Sequence, residues 1–254
     1  MKILILATLR QEHSPLRKLL PGRQVVRGQP VKEFAFKLPD KEVVLLESGM
    51  GAEWAEKALQ SKMPGFMPDL LIFSGFAGGL HPDLKIGSVC LTVRAREKSG
   101  DGLYNFSFPK DLDDFLFRNQ IIRVMAISSG FPENKKDICS LADGQMAVLD
   151  METVKVAEIA LERNVPFVCF RDISDCLHHD LEFNLDDICD GRGRVSLLGV
   201  FMTVLKRPSL AKAFFLSWRR SRVAADTLCR SVAAFVRIPA DALVKMAKEI
   251  RVER

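Results

Sequence analysis

Short apolar runs, many of them β-branched, alternate along this chain with stretches in which apolar residues recur every three or four positions. The first pattern suits strands buried on both faces, and the second suits the helices that cover them. Together they predict an α/β protein with a parallel or mixed sheet. Strands are expected over 2–7, 43–47, 70–74, 88–93, 124–127 and 166–170. Helices are expected over 53–62, after a Gly-Met-Gly turn, and over 152–162. In the second of these, Met151, Val154, Ala157, Ile159 and Leu161 keep a roughly helical spacing.

After Asp175 the pattern changes. Residues 178–194, HHDLEFNLDDICDGRGR, are polar and contain glycine, which predicts a long loop. VSLLGVFMTVLKRP and SLAKAFFLSWRRSRVAADTLCRSVAAFVR then read as helices divided by Pro208, and a last helix is expected after Pro239. No repeat or low-complexity segment interrupts the chain. Residues 1–254 are therefore expected to form a single domain, with 176–254 as its loop and helical extension.

Composition refines this picture mainly by exclusion. At 254 residues, 48% hydrophobic and 27% charged, the chain can bury a core without disulfides or metal. A net charge of +5 is mildly basic; it suits an anionic ligand or surface but is no nucleic-acid signature. The six cysteines, at 90, 139, 169, 176, 189 and 229, form no C-x-x-C pair, which fits a reducing cytoplasmic setting better than a disulfide framework or a zinc site. MKILILATLR reads as a first strand rather than a signal peptide, and the apolar run over 195–205 is too short to cross a bilayer. No metal site is expected, because the adjacent His178 and His179 share no face and no H-x-x-x-H spacing occurs.

Candidate chemistry lies where expected strands end in small or polar residues, since ligands bind at the carboxyl ends of strands in open α/β sheets. ESGMGAEWAEKAL carries Gly49 and Gly51 ahead of a helix, and LLIFSGFAGGLHPDLKIGSVCL carries Gly75, Ala77, Gly78 and Gly79, a surface poor in side chains against which a flat ring could lie. Each glycine set alone fits a structural turn as well as a binding loop. In the third segment, VLDMETVKVAEIALERNVPFVCFRDISD, an acidic-Met-acidic triplet opens a helix and a strand returns to an Arg-x-Ile-Ser-Asp turn.

With these residues in view, the chain resembles the purine nucleoside phosphorylase/nucleosidase superfamily over nearly all of residues 1–175. SGMG, SGFAGGL…LKIGSV, DMET and PFVCFRDISD occur in the order and near the spacing of the methylthioadenosine/adenosylhomocysteine nucleosidases. The tail, DGRGRVSLLGVFMTVLKRPSLAKAFFLSWRRSRVAADTL, is similar to the hopanoid-biosynthesis-associated branch, whose members remove adenine from adenosylhopane. The resemblance implies a three-layer αβα sandwich with a mixed central sheet and a helical C-terminal extension. It also implies no metal or organic cofactor, a nucleoside substrate, and a homo-oligomer whose neighbouring subunit can close the pocket.

By the same resemblance, Asp175 matches the acid that protonates the departing purine, with Ser174 to orient it. Such an acid must hold its proton near neutral pH, and burial pushes in that direction. Asp172 is expected to pair with Arg171 or to face solvent. Glu152 and Met151 match the residues that hold the ribose, where a carboxylate accepting two hydroxyls favours a cationic transition state. Without the family, Glu152 equally suits a helix amino terminus through the dipole. Glu12 falls where the nucleosidases carry the base that activates water, and Phe76, Ala77 and Gly78 fall along the base pocket.

Three departures bear on the chemistry. Ala7 replaces the family's glycine, Arg10 and Gln11 replace acidic residues, and Phe76 stands where the methylthioadenosine enzymes have serine. Arg10 and Arg94 are thus candidate phosphate ligands, with phosphate as co-substrate, although an arginine on a loop is usually just solvated. Hydrolysis, phosphorolysis, a methylthioadenosine- or futalosine-type substrate and an inactive nucleoside-binding homologue all stay open. In the tail, Leu210, Phe214, Phe215, Trp218 and Val223 stand against Lys206, Arg207, Lys212, Arg219, Arg220 and Arg222. Packing on the core or on another subunit is the ordinary explanation, and peripheral contact with an anionic membrane is the alternative.

Overall fold

The computed structural model describes residues 1–26, 31–100, 102–130, 135–177, 188, 190 and 196–254. Three parallel strands lie at its centre: β1 (Lys2–Ala7), β4 (Glu42–Glu47) and β5 (Leu70–Gly79). Successive side chains of a strand point to opposite faces, and this alternation builds two separate apolar layers. Ile3, Ile5, Val43, Leu45, Leu70 and Ile72 belong to one layer, while Leu4, Leu6, Val44, Leu46, Leu71 and Phe73 belong to the other. Burial on both faces explains why these strands read as unbroken apolar runs.

Helices cover both layers. The first lies under α4 (Asp111–Arg118), the long α8 (Leu210–Val236) and α9 (Ala240–Glu249). The second lies under α3 (Ala52–Lys62) and α6 (Thr153–Glu162). The result is the expected mixed α/β arrangement, with helices flanking a central mixed sheet and a helical C-terminal region. The tail divides as its sequence predicts: α7 (Leu197–Lys206) is capped by Ser196, Pro208 separates it from α8, and Pro239 precedes α9. The loop expected over 178–194 lies outside the described residues except for Ile188 and Asp190.

Among the described residues eleven strands join one sheet, more than the apolar runs predict. The additional ones are β2 (Gln24–Val26), β3 (Lys32–Lys37), β7 (Leu103–Ser107), β9 (Ala147–Asp150) and β11 (Arg251–Glu253). They are short or alternate charged with apolar residues, as strands with one covered face do. Others run longer than their apolar cores: β6 spans Val89–Glu97, β8 Ile122–Ser128 and β10 Phe167–Asp175.

Two features of the pairing position the site. Strands β6, β8, β9, β5 and β10 close on themselves, because β10 pairs with β5 on one edge and with β6 on the other. Such a ring leaves no open edge among its own strands. Strand β5 also forks. One edge of it pairs with β1 from Leu70 to Phe73 and with β9 at Gly78 and Gly79. Between these, residues 74–77 have left β1 and not yet met β9, so a crevice opens beside the strand.

Candidate active site

The first side chain to reach this crevice is Glu12. It lies on α1 (Arg10–His13), the short helix that follows β1, and is almost fully buried at 3% exposure. Its Oε2 accepts hydrogen bonds from the Thr8 amide (2.8 Å), the Thr8 hydroxyl (2.9 Å) and the Leu9 amide (2.8 Å). Its Oε1 accepts from the Phe76 amide at 3.0 Å. The carboxylate therefore caps its own helix and supplies the acceptor that the forked edge of β5 lacks.

Arg171 reaches the same place from β10. Its guanidinium is wholly buried, lies over the Phe73 ring with Cζ 3.9 Å from the centroid, and donates from Nη2 to Asp150 at 2.5 Å and to Thr153 at 2.9 Å. Glu152 Oε2 is 3.7 Å from the same nitrogen. Burial alone would lower the pKa of Arg171, but Asp150 above all, with Glu152 and Glu12, raises it above its ordinary value. Asp150 is fixed in turn by the Ser128 hydroxyl at 2.6 Å and by the Thr153 amide and hydroxyl. Three acidic side chains thus share one buried cation. Nη1 of Arg171 is buried without a hydrogen-bond partner among the described residues. A Cβ on Gly75 would lie 2.5 Å from Nη1 and 3.0 Å from Glu12 Oε1, so glycine is what lets both groups approach β5.

Glu152 precedes α6, and its Oε1 accepts from the Gly51 amide at 2.7 Å. Gly51 has φ 98°, a backbone state that glycine adopts readily, which aims its amide across the crevice. Burial is the main force on Glu152 and pushes its pKa up to about 7. Arg171 and the Gly51 amide pull the other way, while Asp150 and Glu12 add to the rise. The carboxyl therefore titrates near neutral pH, poised to be ionised by hydrogen-bond donors.

Asp175 closes the far end. A register shift between Ile173 and Asp175 sets it opposite Gly78 of β5, in the way a bulge re-aims a side chain. The Ser174 hydroxyl donates to its Oδ1 at 2.6 Å, and Lys135, from α5 (Lys135–Cys139), forms an ion pair with Oδ2. Lys135 also donates to the Cys176 carbonyl at 2.8 Å. A Cβ on Gly78 would stand 2.8 Å from Lys135 Cε and 3.0 Å from Asp175 Oδ2. The glycines expected to offer a bare platform instead admit side chains from elsewhere: Glu12 and Arg171 at Gly75, Lys135 and Asp175 at Gly78.

Other expected residues fall around this core or away from it. Met151 is half-buried between Asp150 and Glu152, and Ala77 lies buried in the layer under α6. Phe76 packs its ring against the layer under α8, so its amide rather than its side chain meets Glu12. Arg10 is exposed on α1, pointing away from the buried Glu12 of the same turn. Arg94 is exposed on β6 opposite Asn105. Because β6 runs antiparallel to β10, from Val89 at Asp172 to Leu91 at Phe170, Arg94 lies toward the end of β10 remote from Asp175. Neither arginine reaches Glu12.

The expectation for Asp172 is corrected. It neither pairs with Arg171 nor meets solvent, because strand alternation turns the two side chains to opposite faces. Asp172 is completely buried under α8, beside the Thr227 hydroxyl at 2.5 Å from Oδ2, and burial raises its pKa to about 8. His13 is buried too, but its ring turns to Glu47, with Nε2 3.0 Å from Oε2. Burial raises the thiols of Cys90, Cys169 and Cys229, the last to about 12, which keeps them protonated and unreactive. Sequence reasoning missed Asp150, Thr153 and Lys135. Asp150 was legible as the first acid of the triplet, whereas Lys135 sits in ENKKD, which reads as a solvated stretch.

This fold has known counterparts. Residues 2–194 match the model of the phosphorylase superfamily, and the chain belongs to that superfamily.

Particular solved structures share the fold over most of the chain. The 5′-methylthioadenosine/S-adenosylhomocysteine nucleosidase of Neisseria meningitidis matches at 18% identity with a TM-score of 0.69, over 93% of this chain and 98% of that one. The futalosine hydrolase of Helicobacter pylori strain 26695 matches at 17% identity and a TM-score of 0.68, over 93% and 97%. The S-adenosylhomocysteine nucleosidase of Streptococcus pyogenes matches at 16% identity and 0.68, over 93% and 96%. At these identities the likeness is one of fold.

Proposed function

We propose that the protein hydrolyses the N-glycosidic bond of a 5′-substituted purine nucleoside and releases adenine. One observation carries the reading: at the fork of β5, Glu12 and Arg171 meet at Gly75, Glu152 stands 3.7 Å from the Arg171 guanidinium, and Asp175 stands at Gly78 of the same strand. Superfamily membership and the nucleosidase fold supply the reaction class, and the crevice supplies groups for each step.

As the bond between the sugar and the base breaks, its electron pair leaves with the purine and the ribose becomes cationic. Glu152, ionised when ribose hydroxyls donate to it, places negative charge beside that cation. Arg171 and the Gly51 amide hold this carboxylate in place. Asp175 gives a proton to the departing ring, and Ser174 sets its orientation. For that to happen, Lys135 has to withdraw from the carboxylate or pass its own proton through it. Glu12 takes a proton from the water that attacks the sugar carbon.

The placement of Glu12 favours water over phosphate as the nucleophile, since the carboxylate can accept a proton from water and neither Arg10 nor Arg94 stands beside it to hold phosphate. The finer reading is that the 5′ substituent is a large lipid, as in adenosylhopane. It rests on the resemblance of the tail to the hopanoid-associated branch.

The test is adenine release from adenosylhopane, methylthioadenosine and futalosine, with and without phosphate. Asp175→Asn is expected to bind nucleoside and lose turnover by roughly a hundredfold or more. Full activity in that variant sinks the acid assignment. An absolute need for phosphate sinks hydrolysis, and preference for methylthioadenosine or futalosine sinks the lipid substrate.

A further inference from the structure

Helix α8 is built of two unlike halves. From Ala224 to Val236 it is largely buried against the sheet, where Thr227 meets Asp172 and the Cys229 thiol donates to the Glu12 carbonyl at 3.0 Å. Its first half, with α7 before it, turns large apolar side chains outward. Met202, Leu205, Phe215, Trp218 and Val223 are all exposed, Leu205 at 64% and Phe215 at 55%. Ala211, Phe215, Trp218 and Arg222 follow one another at three- and four-residue steps, so they form one stripe along the helix. The Phe215 and Trp218 rings lie 6.1 Å apart, and the Arg222 guanidinium stands 5.0 Å from the Trp218 centroid.

The charge around this stripe has one sign. Lys206, Arg207, Lys212, Arg219, Arg220 and Arg222 fall between 196 and 225, a stretch without a single aspartate or glutamate. Beside it, a groove of about 430 Å³ between α8 and the segment that holds α1 is lined by Lys18, Trp218, Arg222 and Arg230, with Asp226 as its acid. No helix among the described residues is long and apolar enough to cross a membrane. An exposed apolar stripe flanked by cations is instead the build of a helix that lies in a bilayer interface.

We propose that the outer face of α7 and the first half of α8 docks on an anionic lipid bilayer. Charge complementarity selects this occupant over a second copy of the chain. A two-fold contact through this face would set its cations against the same cations, with no acid in the stretch to answer them. On an anionic bilayer the cations lie at the headgroups while Phe215, Trp218 and Leu205 enter the acyl boundary. The proposal is independent of the substrate. It does place the membrane on the helix whose other half backs Glu12 and Asp172.

The test uses the full chain and two vesicle compositions, phosphatidylcholine alone and phosphatidylcholine with phosphatidylglycerol in equal parts. Co-sedimentation is expected with the anionic vesicles at low salt, and release is expected as salt rises. Combining Lys212→Gln, Arg219→Gln and Arg222→Gln should weaken partitioning roughly a hundredfold, because each surface cation contributes about a factor of five. Only two tryptophans are present, so Trp54→Phe leaves Trp218 as sole reporter. Its emission should shift to the blue on anionic vesicles and be quenched by brominated lipid.

Equal binding to both compositions, no binding at low salt, or an unshifted Trp218 overturns the proposal. So does a lipid-free dimer that Phe215→Ser and Trp218→Ser together convert to monomer, which would make this face an interface between copies.

Discussion

Strand β10 separates two buried acidic environments that meet opposite fates. On one face, Arg171 gathers Asp150, Glu152 and Glu12, and the acids are carried into the interior around a shared cation and a set of amide and hydroxyl donors. On the other, Asp172 has a hydroxyl neighbour under α8 and, among the described residues, no paired cation, and its pKa rises to about 8. A carboxyl without a paired charge gives up its own charge when water is removed. Protonated, Asp172 can donate to Thr227, freeing that hydroxyl to donate to the Val223 carbonyl at 3.0 Å. One face gathers its acids around a cation; the other leaves a lone carboxyl to burial.

The largest expected break in this contrast is Arg171→Met. Removing the shared cation leaves acids buried without compensation, and such a loss costs about 3–5 kcal/mol. Urea denaturation should show it; an unchanged midpoint would mean that the acids do not depend on the guanidinium.

A second measurement sharpens the charged face. The Glu152 pKa is raised from 4.5 to about 7, so the ionised form that accepts ribose hydroxyls is scarce below that value. In a nucleosidase assay kcat/KM should climb roughly tenfold per pH unit up to about pH 7 and then level. The limb should vanish in Glu152→Gln, whose overall rate is lower. A wild-type profile that is flat from pH 5 to about 8 would contradict this reading.

The smallest effect belongs to the other face. Between the ordinary 3.8 and about 8, folded Asp172 holds a proton that the unfolded chain has released. Its contribution to stability therefore declines as pH rises through that window. Asp172→Asn should fall within about 1 kcal/mol of wild type at acid pH and gain on it toward pH 8. Thermal denaturation across pH reads the difference, and parallel curves would show that Asp172 is ionised in the fold.

Much of the architecture was legible because it rests on local periodicity. The runs ILILA and VVLL alternate between two buried faces, and each such run became a strand. The strand KEFAFK, which lies between β4 and the edge strand β2, escaped notice because three of its six residues are charged, so it looks polar overall, although Glu33 is buried against Lys62. Glu12, Glu152 and Asp175 could be picked out as candidates from short motifs, yet their meeting could not. The Gly51 amide and Glu152 are 101 positions apart, and Lys135 reaches the Cys176 carbonyl across 41. Asp172 was misjudged because the strand was ended at Phe170. Carrying its alternation on to Asp175 would have set Arg171 and Asp172 on opposite faces.

The sequence by itself determined which segments become doubly buried strands and where the helical tail divides, since both follow from spacings of a few residues. Only the tertiary structure decided which carboxyl keeps its charge, which cation meets Asp175 and which arginines stay in solvent. Desolvation and pairing depend on atoms brought together from remote parts of the chain, and no local pattern carries that information.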